Sequence, residues 1–249
     1  GVEPIQDTAV AGDQIAVVLD AGLALDDGEA QVAKDTAAGG SQTKNDGIEI
    51  IGVVDATALI HLDRQRCTEA FRELGIEVGD ELTNPYGQRA DLMDFERGLM
   101  TVAEFHDTVR RVYGAQLTDE QIDYAWNALL AGIPDYKLDT LLELKQRYRL
   151  YLLSNTNAVH WEEGRKQFDY RGHRTEDFFD QIFLSNELHE LKPSPEIFRK
   201  VAQLAGIEPE ETLFVDDLQA SCDAAAALGF HTYCPVANTD WRKELRVEG

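Results

Sequence analysis

The sequence predicts an α/β protein: a doubly wound parallel sheet with a helical cap subdomain inserted after the first strand. Three observations carry that expectation. Short apolar runs alternate with amphipathic helical stretches, the pattern of a parallel sheet with helices on its faces. The run Leu213-Phe-Val-Asp-Asp217 stops at two adjacent acids, as a buried strand does at the sheet's carboxyl edge. That edge is where open α/β sheets hold ligands. Finally, the helical block after the first strand is too long for a simple crossover.

Taken in order, residues 1–47 are acidic, contain no aromatic residue and end in the linker-like Ala37-Ala-Gly-Gly-Ser-Gln-Thr-Lys-Asn-Asp-Gly47. They read as a low-complexity extension. Ile15-Ala-Val-Val-Leu19 could form a strand within it, and echoes Ile51-Gly-Val-Val54; each run is followed by Asp-Ala. The core is expected to begin at residue 48, with Ile48–Val54 as the first strand ending at Asp55. Helices follow around 64–74, 101–112 and 118–131. Thr101 with Glu104, and Thr118 with Gln121, have capping-box spacing. These helices form the cap, residues 63–132, leaving 48–62 and 133–249 as the core. Leu138 to Tyr148 reads as a helix, Leu150–Leu153 as the second strand and Gln181–Leu184 as the third. A helix from Pro195 to Leu204, a strand at Leu213–Val215, a helix over 219–228 and a short strand at His231–Tyr233 complete the sheet.

The 249 residues are 43% hydrophobic, enough for a substantial core. Lys and Arg number 23 against 46 acids, a formal charge of -23. Such a surface disfavours nucleic acid and anionic membranes, whose affinity comes from Lys and Arg meeting phosphate. It fits a highly soluble protein or one adapted to high salt, and an anionic substrate would need a local positive centre. Cys67, Cys222 and Cys234 are odd in number and far apart, which argues for a reducing compartment over a disulfide scaffold. With no membrane-length apolar run and no signal-peptide start, a cytoplasmic location is expected.

Four polar groups fall at strand ends or just beyond: Asp55, Ser154, Lys192 and the pair Asp216/Asp217. Together they support a definite chemistry. A carboxylate such as Asp55 can attack phosphorus to give an aspartyl-phosphate that water then hydrolyses. Mg²⁺ held by Asp55 and the acidic pair would neutralise the clustered charge. Ser154 would donate to a phosphoryl oxygen, and Lys192 would supply positive charge to nucleophile and phosphate.

This order of residues resembles the haloacid dehalogenase (HAD) superfamily of hydrolases. Leu152-Leu-Ser-Asn-Thr-Asn157, Leu191-Lys-Pro-Ser-Pro-Glu-Ile-Phe198 and Thr212-Leu-Phe-Val-Asp-Asp217 are similar to its sugar-phosphate phosphatase (glucose-1-phosphatase-like) branch, as is Phe95-Glu-Arg-Gly98 with Thr101 and Glu104. The resemblance implies a HAD-like Rossmannoid core and a Mg²⁺-dependent phosphatase of a small phosphorylated metabolite. It implies Asp55 as nucleophile, Ser154, Asn155 and Lys192 as substrate-binding, and Asp55, the Thr57 backbone carbonyl, Asp216 and Asp217 as the metal site, with Asp216 one shell out. Two positions depart from the pattern. The first motif is usually Asp-x-Asp-x-Thr, or Asp-x-Gly-x-Val-Leu in the related branch; here it reads Asp55-Ala-Thr-Ala-Leu-Ile60, with Thr57 in place of the general acid/base. Ser221 stands where Asn or Asp is usual. A metal-independent dehalogenase-like hydrolase and a catalytically impaired HAD-fold binding protein remain alternatives. Asp20 reads as second to Asp55, because His61-Leu-Asp-Arg64 follows Asp55. Trp126 reads as cap core, and Glu96 with Arg97 as a solvated helical pair.

Overall fold

The computed structural model describes residues 16–20, 59–78, 90–114, 116–236 and 240. A five-stranded, wholly parallel sheet runs through it: β1 (Ala16–Asp20), β2 (Arg149–Ser154), β3 (Gln181–Leu184), β4 (Thr212–Val215) and β5 (His231–Tyr233), in spatial order β3-β2-β1-β4-β5. This is the doubly wound α/β architecture expected.

The central strand differs from the expectation. It is Ala16–Asp20, paired with β2 on one side and β4 on the other. Composition places that segment in an extension outside the core, whereas the structure puts it at the centre of the sheet, for a plain physical reason. A central parallel strand needs an apolar run long enough to be covered on both faces. Ile15–Leu19 and Ile51–Val54 meet that need almost equally, and periodicity cannot rank them. Residues 48–54, with Asp55 and Thr57, lie outside the described residues.

Alternation along the strands makes the two layers. Tyr151 and Leu153 of β2 and Phe214 of β4 pack with Ile197, Phe198, Val201, Ala225 and Phe230 on one face. Leu150, Leu152, Leu213 and Val215, their neighbours in sequence, pack with Leu138, Leu141, Leu144, Phe168 and Phe178 on the other. Each of the large buried side chains contributes roughly 1.5–3 kcal/mol of transfer free energy. The short β4 can therefore be held rigidly despite having only four residues.

Between the sheet's first two strands lies a helical unit: α1 (Arg64–Glu73), α2 (Ala90–Glu96), α3 (Val102–Tyr113) and α4 (Asp119–Asn127). Both capping boxes form as the spacing predicts. Thr101 caps α3 with Glu104 reaching back, and Thr118 caps α4 with Gln121. The unit has its own apolar cluster, including Phe71, Phe95, Phe105, Ile122 and Trp126, so Trp126 is core as expected. The chain enters and leaves it through an antiparallel ladder: His61 N donates to Gly132 O, Ala131 N to His61 O and Asp63 N to Leu129 O.

After this unit come α5 (Asp135–Lys145), α6 (Ala158–Gly164), α7 (Thr175–Phe178), α8 (Ser185–Leu188), α9 (Pro195–Ala205) and α10 (Gln219–Ala226). α5 begins earlier than the Leu138 start, because Pro134 in an extended conformation turns the chain and Asp135 suits a helix's first turn. Glu96 is 7% exposed, which corrects its reading as a solvated residue. The following Arg97-Gly98 turn packs on α8: His189 Nδ1 bonds Arg97 O at 2.8 Å. Gly98 has φ +66°, and a Cβ there would overlap the Asn186 carbonyl, so only glycine permits this approach. Among the described residues no helix is long and apolar enough to cross a membrane.

Candidate active site

The carboxyl edge of the sheet assembles the site. β2 ends at Ser154, which is 1% exposed and opens the loop to α6. Asn157 closes that loop by capping α6, its side chain accepting from His160 N at 3.0 Å. Between them, Asn155 grips the backbone of Lys192 from both sides: its amide donates to Lys192 O at 3.0 Å and its oxygen accepts from Lys192 N at 2.9 Å. Asn155, expected at the substrate, thus has its side chain on the Lys192 backbone and places that residue.

Lys192 enters from the loop before α9, and its ammonium bonds Asp216 Oδ2 at 3.1 Å, with both side chains fully buried. Leu153 O accepts a second, longer bond at 3.4 Å. Burial pushes the Lys192 ammonium below the ordinary lysine value, and the Asp216 carboxylate opposes that shift. Asp216 Oδ1 accepts from Leu218 N at 2.7 Å. Each oxygen of Asp216 thus has a donor, and the residue locks Lys192 to the β4 turn.

Register brings the backbone of Asp20 to this edge. Asp20 ends β1 opposite Leu153, the residue before Ser154, and Leu19 lies opposite Val215, the residue before Asp216. The backbone therefore brings Asp20 level with Asp216 and one residue short of Ser154 at one edge, where Asp55 was expected. A signal for it was present. Asp20-Ala-Gly-Leu-Ala-Leu25 matches the branch pattern Asp-x-Gly-x-Val-Leu at Gly22 and Leu25.

The donor set around the acidic pair suits Mg²⁺, a hard cation that takes carboxylate and hydroxyl oxygens. Ser221, on the first turn of α10, is fully buried, and its hydroxyl has no hydrogen-bond partner among the described residues. An orphaned buried hydroxyl beside Asp216 and Asp217 is what a metal-bound water would satisfy. No three-residue cluster of His, Cys, Asp or Glu with metal-binding geometry occurs among the described residues. The fit therefore rests on the carboxylates, Ser221 and backbone oxygen.

Two contacts tie the helical unit to the Ser154–Asn157 loop. Ser185 Oγ accepts from Thr156 N at 2.9 Å and lies 2.8 Å from Glu96 O at the end of α2. On the other side, Trp126 of α4 stacks on His160 at 4.8 Å, donates to Asn157 Oδ1 and offers its carbonyl to His160 Nε2 at 3.1 Å. His160 Nδ1 faces the Asn157 amide, so the neutral Nε2–H tautomer satisfies every contact. Burial lowers its pKa from 6.5 to about 4, only partly opposed by the Trp126 carbonyl. With the folded value depressed, the unfolded chain takes up the proton first. Stability should hold above pH 6.5 and fall as the pH drops toward 4. Between pH 7 and 4.5 this residue should cost about 2–3 kcal/mol in urea unfolding. A His160→Gln variant should lose that part of the pH dependence; an unchanged slope would remove His160 as its source.

A family model for haloacid dehalogenase-like hydrolases matches residues 30–229, so the chain belongs to that hydrolase family. A D-ribitol-5-phosphate phosphatase from Bacteroides thetaiotaomicron is 34% identical over 191 residues, spanning 76% of this chain and 92% of that protein. A HAD family enzyme from the same organism was crystallised as a mutant with magnesium and inorganic phosphate. It is 37% identical with a TM-score of 0.77, covering 94% of this chain and 99% of the other. A HAD-like family hydrolase from Porphyromonas gingivalis gives a TM-score of 0.68 at 34% identity, over 76% of this chain and 94% of its own.

Proposed function

We propose that the protein is a cytoplasmic, Mg²⁺-dependent phosphatase of a small phosphorylated metabolite, working through an aspartyl-phosphate. The observation that carries this reading is the buried Lys192–Asp216 pair beside the strand ends of Asp20 and Ser154. It supplies the positive centre that an anionic substrate needs on a chain of charge -23. The phosphatase and the magnesium–phosphate complex among its relatives support the same chemistry.

In this reading the Asp20 carboxylate attacks phosphorus and the leaving oxygen departs; water then cleaves the acyl phosphate. Lys192 draws a phosphoryl oxygen into position, and the Ser154 hydroxyl donates to another. Asp216 orients Lys192, while Asp217, with Ser221 through a water, and the carbonyl of Gly22 would hold Mg²⁺. When bound, that ion supplies charge neutralisation at the phosphoryl oxygens. The helical unit acts as a cap that covers the substrate.

A second reading keeps Asp55 as nucleophile and metal ligand, with Thr57 giving the carbonyl. The family match favours it, since residues 30–229 include Asp55 and exclude Asp20. In both readings the residue two positions on is not an acid: it is Gly22 or Thr57. Leaving-group protonation is then weak, a loss of about 10²–10⁴-fold where a proton is required. Aryl phosphates should accordingly turn over faster than alkyl phosphates. The test is phosphate release from a panel of polyol and sugar phosphates, with and without chelator. Release that stops in chelator and returns with Mg²⁺ is expected. Hydrolysis persisting in chelator would point to a metal-independent hydrolase instead.

A further inference from the structure

Two cysteines that the sequence separates meet behind the acidic pair. Strand β5 lies alongside β4 in register Val215↔Tyr233, which brings Cys234 level with Asp216. Helix α10 starts just after Asp217 and turns Cys222 back toward the same point. The Cys222 Sγ donates to Asp216 O at 3.1 Å and lies 3.6 Å from Tyr233 O. Tyr233 immediately precedes Cys234, so the contact to its carbonyl places Cys222 against the backbone that carries the second thiol. Cys222 is buried and Cys234 half-buried, so a small oxidant has one sulfur to reach. Cys67, the third cysteine, is buried in the apolar cluster of the helical unit.

We propose that Cys222 and Cys234 form a reversible disulfide under hydroperoxide, and that its formation lowers activity by disturbing the Asp216 turn. A disulfide needs its Cβ atoms within about 4.5 Å, and the β5 register with the Cys222 contacts to Asp216 O and Tyr233 O brings the two side chains to one point. The chemistry balances in two steps. The Cys234 thiolate attacks one peroxide oxygen, the O–O bond breaks, and the released hydroxide takes a proton to become water. The resulting sulfenic acid is attacked by Cys222, which gives up its proton; the S–O bond breaks and a second water leaves. One hydroperoxide is reduced by two electrons and two thiols are oxidised to one disulfide. A dithiol reductant reverses it by exchange.

The consequence for the site follows from the contacts. Oxidation removes the S–H donor from the Asp216 carbonyl and pulls α10 toward β5. Asp216 is the residue that holds both Lys192 and the Leu218 amide. A displacement near 1 Å there matters on the order of a hundredfold.

The activity readout rests on the phosphatase reading, whereas disulfide formation is read without it. The full-length protein is treated with hydrogen peroxide, then examined by intact mass, thiol titration and peptide mapping, in parallel with phosphate release. The expected result is a loss of about 2 Da and a single remaining thiol, at Cys67. Peptide mapping should join Cys222 to Cys234, and phosphate release should fall at least about tenfold and return with dithiothreitol. Cys234→Ser should keep its activity through the same treatment, and Cys67→Ser should behave as wild type. Three intact thiols, a bridge involving Cys67, or over-oxidation without a bridge would overturn the pairing. A bridge that leaves turnover unchanged would overturn its coupling to Asp216. A protein inactive before treatment yet forming the bridge would fail the phosphatase reading alone.

Discussion

Asp20→Asn is expected to lower phosphate release by on the order of 10³-fold or more, with Asp55→Asn staying within a few-fold of wild type. The asymmetry follows from strand register. Asp20 ends the central strand, flanked by Leu153 on β2 and by the Val215–Asp216 step on β4. In the proposed mechanism the nucleophile sits on the in-line side of phosphorus while Lys192 and Ser154 hold the other oxygens. Ser154 ends β2 and Asp216, the partner of Lys192, follows β4, so the sheet fixes the backbone position of Asp20 between those two strand ends. An amide at that position keeps the shape but cannot form the acyl phosphate. Single-turnover measurements with an aryl phosphate would separate this from a binding defect, since substrate affinity should change far less than rate. The opposite asymmetry, with Asp55→Asn inactive and Asp20→Asn active, would transfer the role to Asp55.

Lys192→Met should be nearly as damaging, and in two separable ways. Removing the ammonium leaves Asp216 charged and fully buried beside a single backbone donor. Breaking such a buried pair costs about 3–5 kcal/mol. In the proposed mechanism it also removes the charge that draws the phosphate in against the field of the whole protein. The double variant Lys192→Met/Asp216→Asn should recover most of the stability, because no lone charge remains, yet none of the activity. Urea unfolding alongside phosphate release reads both effects. Recovery of activity in the double variant would show that Lys192 is structural only.

Much of this was legible in the sequence because it depends on local rules. Capping boxes at Thr101 and Thr118 are three-residue signals and form as spelled. β2 and β4 are apolar runs that stop at polar residues, and both end in the site. What could not be read were choices between equal local signals and contacts made at a distance. Ile15–Leu19 and Ile51–Val54 satisfy the same strand pattern, and only pairing with Arg149–Leu153 and Thr212–Val215 selects one. The burial of Glu96 and the meeting of Cys222 with Cys234 likewise depend on how distant elements pack. Asn155 is an intermediate case: its place in the loop was evident, but its grip on Lys192 needs both loops in space.

The ladder between residues 61–63 and 129–132 has an implication for how such a chain can be altered. Because the polypeptide departs and rejoins at hydrogen-bonded neighbours, the 64–128 segment is a cassette with one doorway. A different helical cassette could be grafted at that doorway without touching sheet registry. Among the described residues it would need a small residue where Gly98 meets Asn186, carbonyls for Ser185 and His189, and a ring, donor and carbonyl for Asn157 and His160. The helical unit and the sheet would then be exchangeable parts, joined through these contacts.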